Sequence, residues 1–103
     1  MAEKSFLDLL NEEAPGIGKS FFELADNLRD NGGLDPKTFQ LVYIGIKAAA
    51  CQTGSVGAHA GFAKEAGATR EEVLGAVLMS LMTNGIDGVA ACIASAIDGY
   101  DNA

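Results

Sequence analysis

Positive charge is scarce in this chain: seven Lys and Arg stand against fourteen Asp and Glu in 103 residues, for a formal net charge of -7. Such a protein repels phosphate backbones, and no Lys/Arg cluster offsets the repulsion, so neither nucleic acid nor an anionic membrane surface is an expected partner. Long hydrophobic runs are missing as well. The longest, Leu41 to Cys51, is too short to span a bilayer and contains Lys47. Glu3, Asp8, Glu12 and Glu13 make the first residues unlike a signal peptide, so a cytoplasmic location is expected. Only two cysteines are present, Cys51 and Cys92, and a reducing compartment would keep both as thiols. There is no C-x-x-C, no zinc-ligand spacing and no acidic calcium loop; Gly18-Lys19-Ser20 lacks the upstream glycine and the preceding strand of a phosphate loop. No metal and no cofactor is therefore expected. One histidine, His59, must carry any imidazole chemistry.

What is present is helical pattern. Apolar residues rarely alternate with polar ones, and Ala and Gly fill the packed stretches, which argues against strands. Six helices are expected. The first runs from about Ser5 to Glu12, and the second from Gly16 to Arg29 with Ile17, Phe21, Leu24 and Leu28 at helical spacing. The third opens on Asp35-Pro36, a capping residue followed by a proline whose missing N–H costs nothing at a first turn. It is apolar on nearly all sides through Ala50, as a central buried helix is. The fourth spans Ser55 to Ala66 and stops at Gly67. Thr69-Arg70-Glu71-Glu72 is a capping box that opens a fifth helix reaching Thr83, and the last runs from Asp87 to Tyr100. The expected fold is all-α, a compact bundle of about six short helices in one domain over residues 1–103. Apolar residues are 49% of a chain too short to bury them all, which points to a homo-oligomer.

One constellation could carry chemistry. On the fourth helix Ser55, His59 and Phe62 share a face. On the third, Gln40, Tyr43, Lys47 and Cys51 share another, provided the helix stays regular as far as Cys51. The short link after Cys51 then sets its thiol near a helix N-terminus, where the dipole and free N–H groups favour thiolate. Each residue also has a plain structural role: Cys51 and Cys92 as small core residues, His59 as a packed ring, Lys47 as a snorkelling surface lysine.

Leu34-Asp35-Pro36-Lys37-Thr38 before an apolar helix, then His59, then Ala66-Gly67-Ala68-Thr69-Arg70-Glu71-Glu72-Val73, resembles the carboxymuconolactone decarboxylase family, to which the AhpD-like proteins belong. The likeness covers about Gly33 to Asp98. It implies an AhpD-like helical fold assembled as trimers or hexamers. The AhpD-like members are thiol peroxidases and disulfide reductants, whose pattern is a Glu, eleven residues, C-x-x-C, three residues, His. Here the Glu position holds Gln40, the cysteine positions hold Gln52 and Ser55, and the His is His59. Cys51 stands one residue out of register. Two-thiol turnover is thereby excluded within that motif, since a hydroxyl at Ser55 forms no disulfide. The resemblance leaves three expectations. One is single-thiol peroxidase or oxidoreductase chemistry at Cys51, assisted by His59, on a thiol or small-molecule substrate. Another is a lactone decarboxylase, whose branch also lacks the cysteine pair, using His59 with Lys47 as the cation for a small organic acid. The last is a non-catalytic oligomeric binding protein. The candidate site residues are Cys51, His59, Gln40, Ser55 and Lys47.

Overall fold

A computed structural model describes residues 3–103, and every regular element among them is an α-helix: α1 (Phe6–Glu13), α2 (Pro15–Asn31), α3 (Pro36–Ala49), α4 (Thr53–Glu65), α5 (Arg70–Leu78), α6 (Ser80–Thr83) and α7 (Asp87–Asp101). No helix among the described residues is long and apolar enough to cross a membrane. The chain divides into two compact units, residues 1–34 and residues 35–103.

In the first unit a capping box at Ser5 and Asp8 opens α1, and Pro15 occupies the first turn of α2. The two helices meet closely at Gly18, where a Cβ would lie 2.3 Å from Asn11 Oδ1. The apolar stripe of α2 stays largely open within this unit, with Ile17 and Leu24 both more than half exposed.

The second unit holds the buried core: Ile44 and Ala48 of α3, Val56, Ala60 and Ala63 of α4, Ala68, Val73 and Val77, and Cys92 and Ala96 of α7. Half of these residues are alanine, so the helices pack through short side chains. The closest seam joins α4 to α7. Gly99 presents its backbone to Gly57 so tightly that a Cβ would meet the Gly57 carbonyl oxygen at 2.1 Å. Gly88, at the start of α7, sits likewise on the Ala48 carbonyl oxygen at 2.3 Å. Around the end of α7, Tyr100 Oη donates to the Ala68 carbonyl at 2.8 Å, and Arg70 pairs with Asp101 at 2.9 Å.

Two expectations about element boundaries are corrected. The expected fifth helix is two helices, interrupted at Met79. Ser80, buried, turns its hydroxyl back onto the Val77 carbonyl at 2.8 Å, a local bond that competes with the helical ladder. The third helix does not run on to Cys51 but ends at Ala49. Cys51 has φ +58°, the left-handed region. Its N–H bonds the Ala48 carbonyl while that of Gln52 bonds Lys47, at 2.9 Å each, which closes the helix in a Schellman motif. At the end of α4 the same pair of bonds is built around Gly67, the residue usual for that conformation. A β-carbon in this region costs roughly 1–2 kcal/mol.

Candidate functional site

The site grows from the antiparallel partnership of α3 and α4. Residues three and four apart on a helix share a face, and the sequence sets Gln40, Tyr43 and Lys47 on α3 in that way, with Ser55, His59 and Phe62 on α4. The structure brings the two faces together around the imidazole. Gln40 Oε1 lies 2.6 Å from His59 Nδ1. The Tyr43 ring stacks on the imidazole, with centroids 3.6 Å apart and planes 18° from parallel, and Phe62 meets it edge-on at 5.0 Å. Lys47 Nζ stands 5.8 Å from the centre of the Tyr43 ring. Among the described residues Lys47 has no carboxylate partner, whereas Lys37 is bound to Glu72 at 3.0 Å and Arg70 to Asp101.

This arrangement fixes the state of the ring. A carboxamide oxygen only accepts, so the bond to Gln40 requires the proton on Nδ1 and leaves the Nε2 lone pair free. Burial, and next the neighbouring Lys47 ammonium, push the His59 pKa below the ordinary histidine value. Burial and Lys47 thus favour the uncharged ring, and with Gln40 Oε1 as the acceptor the proton of that uncharged ring sits on Nδ1. A carboxylate in place of Gln40 would favour the imidazolium; the amide does not.

Of the five candidates, Gln40, His59 and Lys47 thus belong to one cluster. Ser55, half-buried, lies one helical turn before His59 on the same face. Cys51 stands apart, exposed in the turn between the helices, and makes no hydrogen bond to the ring among the described residues. His59 lies six residues into α4 from Thr53, about 9 Å of helical rise beyond the turn that holds Cys51. Tyr43 and Phe62 are the additions that the structure makes. Both were visible in the spacing, but packing against the ring depends on two helices meeting, which no single-helix pattern reveals. A cavity of about 540 Å³ lies elsewhere, on the opposite side of α3 against Val42, Ile46, Gly75 and Met79, and touches none of the five candidates. No group of His, Cys, Asp and Glu among the described residues could hold a metal ion.

The sequence profile of the carboxymuconolactone decarboxylase family matches residues 15–98. No curated protein and no solved structure matches the chain.

Proposed function

The chain belongs to the carboxymuconolactone decarboxylase family, and on that premise we propose that it is an acid–base enzyme of the decarboxylase type, with His59 relaying a proton for a small organic acid or lactone. The observation that carries this reading is the 2.6 Å contact between Gln40 and His59 Nδ1, which leaves Nε2 as the working atom. Loss of carbon dioxide leaves an electron pair on the substrate that must take up a proton. The uncharged imidazole takes a proton from solvent at Nε2 and delivers it to the carbon that holds this electron pair, which returns the ring to its uncharged form. Lys47, a cation without a carboxylate partner among the described residues, supplies the charge to hold an anionic substrate, and the Ser55 hydroxyl adds a donor on the same face. Tyr43 and Phe62 hold the ring against rotation.

The peroxidase reading uses Cys51 beside His59. The placement of that cysteine in the interhelical turn favours it less, because the ring's bonding runs to Gln40 at the other end of α3. Carbon dioxide release from a carboxylated muconolactone distinguishes the two. Under the decarboxylase reading His59→Ala lowers turnover by about 10²–10⁴-fold, the usual size of an acid–base contribution, while Cys51→Ser keeps the wild-type rate. Release that is absent from the wild type, or equal in wild type and His59→Ala, would refute the proposal.

We propose further that the protein works in the cytosol as a homo-oligomer, a trimer or hexamer. Ile46, Met79, Met82 and Ile86 are exposed on the second unit, Met82 to 82%. Exposed apolar side chains of this size are what a subunit interface covers.

A further inference from the structure

We propose that Cys51 and Cys92 form a redox-responsive pair, which a hydroperoxide converts into an intramolecular disulfide tying the α3–α4 turn to α7. The proposal concerns a site separate from His59 and does not depend on its chemistry.

The placement comes from one backbone oxygen. The Ala48 carbonyl accepts from the Cys51 N–H at 2.9 Å. The same oxygen lies 2.3 Å from where a Gly88 Cβ would start, which is why that position is glycine. Cys51 and the first turn of α7 are thus neighbours across a single atom. Cys92 follows Gly88 by four residues and so lies one turn along on the same face. It is fully buried, in the same core cluster as Ala48. The electrostatics agree: burial raises the Cys92 thiol pKa, and charge on Cys51 raises it further.

The two cysteines differ in the ways that a sequential reaction needs. Cys51 is exposed and Cys92 is sealed, so the oxidant meets Cys51 first. The Cys51 thiolate attacks one peroxide oxygen and the O–O bond breaks, giving a sulfenic acid and releasing water or an alcohol. The Cys92 sulfur then attacks the sulfenyl sulfur, losing its proton as the S–S bond forms and hydroxide departs as water. The two thiols supply two electrons, and the peroxide accepts them.

A disulfide requires the two α-carbons to approach within about 4.4–6.8 Å. The element that must adjust is the exposed turn that carries Cys51. Cys92 is fixed by the packing of α7.

The test uses the whole wild-type protein, treated with hydrogen peroxide, quenched in acid, unfolded and alkylated. The expected product is a single chain lighter by two hydrogens, with both cysteines protected from alkylation and a Cys51–Cys92 cross-link in the peptide map. A dithiol reductant reverses all three. Cys92→Ala, a conservative change at a buried site, should instead accumulate a dimedone-reactive sulfenic acid on Cys51. Sulfinic acid at Cys51 with Cys92 still alkylatable in the wild type overturns the proposal, as does a disulfide that joins two chains.

Discussion

The bond between Gln40 and His59 sets the charge of the ring, and that charge has a sign that can be measured. Because burial and Lys47 lower the folded-state pKa below the ordinary value near 6.5, the unfolded chain takes up the proton first as pH falls. Stability is therefore unaffected by His59 above about pH 6.5. It declines on acidification, from the unfolded pKa down through the folded one. Substituting Gln40→Glu places a carboxylate 2.6 Å from Nδ1 in the present geometry. It should raise the His59 pKa above that of the wild type and so weaken the acid destabilisation; once the folded-state pKa passes the unfolded value near 6.5, the dependence turns round and stability is lost as pH rises through the new pKa. Titration of the single histidine by proton NMR reads the shift directly. An unchanged titration curve would mean that the amide and the ring do not meet in solution.

Among the helices, α4 and α7 depend on each other most closely. At Gly99 an added Cβ would lie 2.1 Å from the Gly57 carbonyl oxygen and 2.9 Å from the Gly57 Cα, so the helices must part to admit a methyl group. Gly99→Ala gains up to about 1 kcal/mol of helix propensity but incurs overpacking strain of about 1–3 kcal/mol. A net loss of up to about 3 kcal/mol in urea unfolding is expected. Gly54→Ala is the control. It lies near the start of α4 with nothing within 4 Å of the new atom, and its effect should be neutral or slightly stabilising. Equal effects of the two substitutions would contradict this account of the seam.

The same elements show what a sequence exposes and what it conceals. Gln40, Tyr43 and Lys47 on one helix, with Ser55, His59 and Phe62 on another, are legible because helical spacing is a local rule. The family register set Gln40 and His59 at paired positions, but that the two faces meet around the ring depends on how α3 and α4 pack. The break at Met79 was hidden, because the bond from the buried Ser80 hydroxyl to the Val77 carbonyl is seen only in the folded chain. The left-handed Cys51 was hidden too. Ala48-Ala49-Ala50-Cys51 carries no glycine to mark a helix end, and the Schellman bonds that close it are seen only in three dimensions.

For the molecule as a whole, the exposed apolar residues of the second unit bear on assembly. Sedimentation equilibrium should return a mass of three or six chains. Met82→Glu, at a side chain that is 82% exposed in the single chain, should shift the mass toward the monomer without loss of helical circular dichroism. A wild-type protein that sediments as a monomer at every concentration would set the oligomer proposal aside.

A core that is half alanine also shapes the response to temperature. Alanine removes few methylene groups from water when it is buried, and no aromatic side chain stands among the fully buried residues of this core. Unfolding then exposes less hydrocarbon per residue than is common, and its heat-capacity increment should fall at or below the low end of about 12–15 cal/mol/K per residue. A small increment flattens the curvature of folding free energy against temperature, so this chain should lose little stability on cooling.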